Sequence, residues 1–199
     1  MAIQIEGASS SGDGGVKRAL VTNGGRLSVL AAAQDASLVA ALNENAYNIN
    51  TGVITGLSGA VESAILYYKH LEDSPLVVDT LVIGLTDADT NNPHVLKIIK
   101  NPSAGTIITG ASAGDIVVNR NFNSVDNLSS STFYKGANGN TFTNGDDFIL
   151  AYAGENGRTT LPIATVLKKG NSIGITITPS LATGTIDGYV SLITHSAEL

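Results

Sequence analysis

The chain has 199 residues, a formal net charge of −6, and only 14% charged and 5% aromatic residues against 22 glycines. That length buries a full core without metals or crosslinks, and the absence of cysteine excludes disulfides and thiolate metal sites. No basic cluster exceeds Lys17-Arg18 or Lys168-Lys169, so a phosphate-tracking groove, and with it a nucleic-acid partner, is not expected.

Residues 1–15 open with the alternating pair Ile3 and Ile5 and then enter the Gly/Ser tract GASSSGDGG, the composition of a flexible connector. They read as a flexible N-terminal arm. The start shows no basic segment followed by an apolar one, and no apolar run in the chain approaches the roughly 18 to 20 residues of a membrane span. The expectation is a soluble protein made in a cytoplasm, with no membrane partner.

Residues 16–199 read as a single β-sandwich domain. Its first element is a hairpin, VKRALVT and RLSVLA around Asn23-Gly24-Gly25, where residues that tolerate positive φ permit a tight reversal. Asp35 can cap a following turn, and Leu38 and Leu42 recur at i, i+4 before Asn43 to Asn45 end the pattern, which predicts one short helix. Strands are then expected at about Tyr47–Ile54, Val61–Lys69, Leu76–Leu85, His94–Ile99, Asp115–Arg120, Phe148–Ala153, Thr160–Leu167, Ile173–Thr178 and Ile186–His195. Ile173, Ile175 and Ile177 alternate with Gly174, Thr176 and Thr178, which predicts one face in a core and one outside.

Turn clusters such as Asp87 to Pro93, Asn138-Gly139, Asn144-Gly145 and Asn156-Gly157 separate these runs, the spacing of an antiparallel sandwich or barrel. Strand-helix alternation is absent, which disfavours a doubly wound nucleotide-binding fold. Residues 119–147 are rich in Asn, Ser and Gly with isolated aromatics Phe122, Phe133, Tyr134 and Phe142. A loop of that length is uncommon unless it contacts something, so these four aromatics, with Ile3 and Ile5 of the arm, are the candidate interface residues.

The one catalytic-looking pattern is Gly110-Ala111-Ser112-Ala113-Gly114, a G-x-S-x-G match followed in hydrolase order by Asp146, Asp147 or Asp187 and then His195. A nucleophile elbow needs a helix after the serine, because helix N–H groups serve the oxyanion. Here DIVVNR reads as a strand, so a β-turn is expected and the chain is read as no enzyme. His70, His94 and His195 have no metal-ligand spacing. Asp87-x-Asp89-x-Asn91 has Asn92 where a calcium loop needs Gly and Ile98 where it needs a bidentate Glu, so a polar turn is the reading there and at Asp146-Asp147 near Glu155. No P-loop or dinucleotide fingerprint occurs, and no cofactor is expected. The acceptor pattern Asn127-Leu128-Ser129 lacks a signal segment to route it to glycosylation.

VKRALVTNGGRLSVLA, VESAILYYKHLEDSPLVVDTLVIGL, VVNRNFNSVDNLSSSTFYKGANGNTFTNGD, KKGNSIGITITPS and YVSLITH follow one another through the chain from Val16. Together they resemble small virion proteins of tailed bacteriophages, of the capsid decoration or cement type. The resemblance implies a β-sandwich or jelly roll, a homotrimer, that binds major capsid protein at capsomer junctions on the outer capsid surface and reinforces the shell. It brings no catalytic residues. A largely uncharged polar surface has weak repulsion between like copies, which suits a packed assembly. The alternative is a tail or fibre component that recognises a host surface, and a more distant one is a serine hydrolase using Ser112. Sugar binding favours exposed Trp and Tyr, whereas this chain has no Trp, and Tyr67, Tyr68 and Tyr152 fall in predicted strands where core packing is expected.

Overall fold

A computed structural model describes residues 36–86, 93–107, 117–153 and 158–197, with short paired strands at 6–7, 17–18, 20–21 and 27–28. Two compact units divide the chain, Met1–Asp35 and Ala36–Leu199. In the first unit β1 (Glu6–Gly7) pairs antiparallel with β2 (Lys17–Arg18), and β3 (Leu20–Val21) with β4 (Leu27–Ser28). Val21 lies opposite Leu27, the hairpin register expected around Asn23-Gly24-Gly25, while those turn residues lie outside the described residues. Ile3 and Ile5 also lie outside them, as do Ser112, Glu155, the cap expected at Asp35 and the turn at Asp87 to Asn92.

The second unit begins with α1 (Ala36–Leu42) and continues as β5 (Ala46–Asn50), β6 (Ile54–Ser58), β7 (Ser63–Lys69), β8 (Leu76–Thr86), β9 (His94–Lys100) and β10 (Val117–Asn119). It ends with β11 (Thr132–Lys135), β12 (Asp146–Ala153), β13 (Arg158–Leu167), β14 (Ser172–Thr178) and β15 (Thr185–Ser196). One sheet runs β10-β5-β15-β8-β13, with β6 also on β15, and the other runs β11-β7-β14-β9-β12, antiparallel throughout. Setting β10 and β11 aside, β5-β15-β8-β13 packs on β7-β14-β9-β12, and successive strands cross between the sheets except from β5 to β6 and from β9 to β12. That winding is a jelly roll, an all-β antiparallel sandwich.

The core follows from period two. Ile49, Leu81, Ile83, Val190 and Leu192 of one sheet meet Leu66, Leu96, Ile98, Ile173, Ile175 and Ile177 of the other in one buried cluster. Each such side chain contributes on the order of 1.5 to 3 kcal/mol on burial. The other face of β14 is also covered, contrary to the expectation of one exposed face. Gly174 lies under the Phe142 ring and Pro102, where a Cβ would come within 2.6 Å of Phe142, and the Thr176 hydroxyl donates to Glu62 Oε1 at 2.9 Å.

The expected strand Tyr47–Ile54 is two strands. Thr51 exchanges main-chain and hydroxyl bonds with Val190, its N–H donating to the Val190 carbonyl and its Oγ1 accepting from the Val190 N–H, both at 2.9 Å. Gly52 then takes φ +62, a left-handed turn that glycine adopts without a Cβ clash, and the chain re-enters beside β15 as β6. The short helix forms as expected and ends on Glu44 at φ 63, a left-handed cap. Its Leu38 and Leu42, however, are exposed, and Ala40 is the residue it buries.

The segment expected to be a long loop contains β11 and folds back on the second sheet. Tyr67, Ala64 and Ile107 form a small second core with Ala104, Tyr134 and Phe142. Gly136 is the close approach in this covering segment, because a Cβ there would sit 1.8 Å from the Ala64 carbonyl oxygen. Gly139 has nothing within 4 Å but holds φ +75. In urea unfolding, Gly139→Ala is therefore expected to cost about 1 to 2 kcal/mol from backbone strain alone. Gly136→Ala is expected to cost more, because main chain and not a movable side chain must shift; equal costs would contradict this packing.

Candidate docking interface

β10 is a three-residue edge strand on β5, with Val117 and Asn119 turned inward and Val118 exposed. Beyond it, residues 120–126 form a loop whose shape is set by short polar side chains. The Asn121 N–H donates to Asn119 Oδ1 at 2.8 Å, the Asn123 N–H to Asn121 Oδ1 at 3.1 Å, and the Asp126 N–H to Ser124 Oγ at 3.2 Å. Each side chain thus takes the place of a backbone acceptor two residues back, the reason Asn, Asp and Ser favour turns.

Both ends of the loop are tied down. Asn119 Nδ2 donates to the Glu44 carbonyl at 2.7 Å, the Arg120 N–H to the Ala46 carbonyl at 2.8 Å, and the Arg120 guanidinium to the Ser37 hydroxyl on α1. Asn121 Nδ2 reaches the Leu42 carbonyl at 3.5 Å. At the far end the Tyr47 hydroxyl donates to Asp126 Oδ2 at 2.6 Å. Burial foremost, and then the Asp126 carboxylate that accepts its proton, hold the Tyr47 phenol well above the usual tyrosine value. Leu128 follows at φ 56, buried in the main core.

The next residues are anchored by a buried polar group. His70 Nε2 lies 2.7 Å from the Ser74 carbonyl, so in the neutral ring Nε2 carries the proton and Nδ1 accepts from the Tyr68 hydroxyl at 2.7 Å. Ser131 Oγ stands 3.3 Å from that hydroxyl and accepts the Leu71 N–H at 3.1 Å, while the Ser130 N–H donates to Glu72 Oε1 at 2.9 Å. Tyr68 is raised like Tyr47, and burial is again the largest cause.

With both ends fixed, the loop holds Phe122 98% exposed and Val125 96% exposed. Exposed Leu38 and Leu42 on α1 and Val118 on β10 belong to the elements it is bonded to. The other aromatics expected at an interface have different placements. Phe133 is buried and stacks on Tyr68 with ring centroids 4.9 Å apart. Tyr134 stacks on Tyr67 at 5.7 Å, and Phe142 tilts against the same ring at 6.2 Å, both half-buried in the second core. The exposure of Val125, Val118, Leu38 and Leu42 was not expected, and Tyr152, expected in the core, is exposed on an edge strand.

The residues of the hydrolase pattern are scattered. Asp187 and His195 stand near opposite ends of β15, eight residues and so roughly 26 Å apart. Asp187 Oδ1 accepts the Gly56 N–H at 2.9 Å, and Asp146 and Asp147 are on the other sheet. The carboxylate that meets His195 is Asp79, 2.8 Å from Nδ1, and it precedes Ser112 in the chain. Asp79 is the extra residue where the β8–β15 register shifts, a bulge that re-aims it. Val117–Asn119, after the G-x-S-x-G stretch, form strand β10. His94 Nδ1 accepts the Ser180 N–H at 3.1 Å. Among the described residues no group of three or more His, Asp or Glu is placed to hold a metal, and no helix is long and apolar enough to cross a membrane.

Tyr47→Phe removes the far anchor and is expected to cost about 1 kcal/mol and to speed amide exchange at residues 121–126 relative to β14. Raised phenols also make stability fall with alkalinity. The native state holds these protons more firmly than the unfolded chain, so the contribution is complete below the unfolded value near 10 and is lost as pH rises toward the higher folded values. Urea midpoints should decline above about pH 10, less steeply in Tyr47→Phe; a flat profile would contradict the burial of these hydroxyls.

No protein-family model matches the chain, and no curated protein matches it.

Proposed function

We propose that this chain is a structural protein of a tailed-bacteriophage virion, a decoration or cement protein that docks on major capsid protein at the outer capsid surface and stabilises the shell. The observation that carries the reading is the fixed loop at 120–126, which presents Phe122 and Val125 almost fully to solvent. Large apolar side chains held out by a hydrogen-bonded loop are costly to leave in water and are positioned to enter a pocket on a partner. Because the loop is already ordered, less conformational entropy is lost on docking.

The role asks only for binding. Burying both side chains would contribute on the order of 3 to 6 kcal/mol, and many identical sites on a shell, or the homotrimer that the resemblance implies, would multiply it. Jelly rolls recur among viral capsid proteins and also among lectins, so the fold supports the reading by analogy and does not select it.

Purified protein mixed with empty expanded heads should bind saturably and in fixed stoichiometry. Phe122→Ser with Val125→Ser should weaken occupancy by at least about a hundredfold while leaving the unfolding midpoint nearly unchanged, since both side chains are exposed. Equal occupancy by the double variant would remove the loop from the interface, and no binding of the parent protein to heads would remove the capsid role.

A further inference from the structure

Among the described residues five strands of the two main sheets have a free edge, and four carry features that discourage further pairing. β6 has Gly56 at φ +74 within it and a register shift against β15. β10 has three residues and β11 has four. β13 has Pro162 within it, followed by a register shift and Ala164 at φ 47. Short edges, proline and bulges are the usual protections of an exposed strand.

β12 differs. It is eight residues long and, among the described residues, pairs only with β9; its charges, Asp146 and Asp147, and its bulge at Phe148 are confined to its start. From Ile149 to Ala153 it has no proline, glycine or charge. Ile149 and Ala151 turn toward the core, whereas Phe148, Leu150 and Tyr152 are 46%, 60% and 63% exposed.

We propose that β12 pairs antiparallel with β12 of a second copy of this chain across a two-fold axis at Leu150, joining the β11-β7-β14-β9-β12 sheets of two copies into one. This register is self-complementary. Leu150 lies opposite its own copy, and Phe148 of each chain lies opposite Tyr152 of the other, the aromatic cross-strand pairs that stabilise antiparallel sheets. Charge permits it as well: each Asp147 falls opposite Ala153, six residues and roughly 20 Å along the strand from the other Asp147, about two and a half screening lengths at physiological salt.

Area sets the strength. At about 150 to 250 Å² per large side chain, the exposed fractions of Phe148, Leu150 and Tyr152 amount to about 300 Å² per copy and about 600 Å² in the pair. Main-chain pairing adds to this, but the total stays below the roughly 1,200 Å² of a standard interface, so the dimer is weak and reversible, forming at high local concentration. The contact uses no residue of the 120–126 loop and stands or falls apart from capsid docking.

The chain has no cysteine, so Leu150→Cys introduces a single thiol on the two-fold axis. Directly opposed residues in an antiparallel pair have Cα atoms about 4.5 to 5.5 Å apart, within disulfide range. Under mild oxidation the full-length Leu150→Cys protein should form a covalent dimer at least about tenfold faster than Val53→Cys, an exposed site in the turn between β5 and β6. In sedimentation velocity up to about 1 mM the parent protein should move toward the mass of two chains, and Leu150→Arg should raise the dissociation constant at least about tenfold, because like charges would meet on the axis. A strictly monomeric parent, a trimer indifferent to Leu150→Arg, or equal crosslinking at Val53→Cys would overturn the proposal. The crosslinking rate decides if the arginine variant folds poorly.

Discussion

Strand β15 is hydrogen-bonded along both edges, and most of the sandwich depends on that double pairing. Residues 187–196 pair with β8 on one side, while 191–195 and 185–188 pair on the other with β5 and then β6. Among the described residues no other strand joins β5 to β8. The break at Thr51 and Gly52 lets one continuous strand serve two partners in succession, with Thr51 filling the gap by bonding to Val190 through both its main chain and its hydroxyl. At its outer face Tyr189 lies over Gly84, its opposite residue on β8, where any Cβ would meet the ring. Because β15 comes late in the chain, its pairings with β5 and β8 join segments far apart in sequence, a non-local topology of the kind that folds slowly.

The second sheet is assembled differently. Its centre, β14, is buried on both faces, by the Ile173, Ile175 and Ile177 side chains within and by Phe142, Pro102 and Glu62 without. The covering comes from residues 101–107 and 136–145, the two ends of one insertion between β9 and β12. The same insertion supplies β10 to one sheet and β11 to the other, and between them the loop that presents Phe122. The apolar tip is thus fastened to both layers.

Much of this was legible in the sequence where period two met β-branched residues, as in Ile173 to Thr178 and Leu76 to Leu85, and the all-β sandwich with one short helix followed from it. β11 was missed because Phe133 and Tyr134 sit in an Asn/Ser/Gly-rich stretch without alternation. Their burial comes from Tyr68 and Tyr67, which only the tertiary fold brings near. Leu150 and Tyr152 show the converse: alternation says that a strand has two faces, but whether a neighbour covers the second depends on sheet order. Phe122 could be noticed as an isolated aromatic, yet Val125 carried no signal. Its exposure is fixed by hydrogen bonds from Asn119, Asn121, Ser124 and Tyr47 that no local pattern announces.

The insertion also acts as a mechanical element. β10 and β11 are sewn to opposite layers, on β5 and β7, and residues 120–131 between them are pinned midway by Leu128 in the core. Sliding one layer past the other would have to drag Leu128 out of its seat or break a ladder, so the pair of layers resists shear along this side as well as separation. A force applied at the loop tip is therefore shared between two sheets and carried into the body of the domain, instead of peeling off a single edge strand.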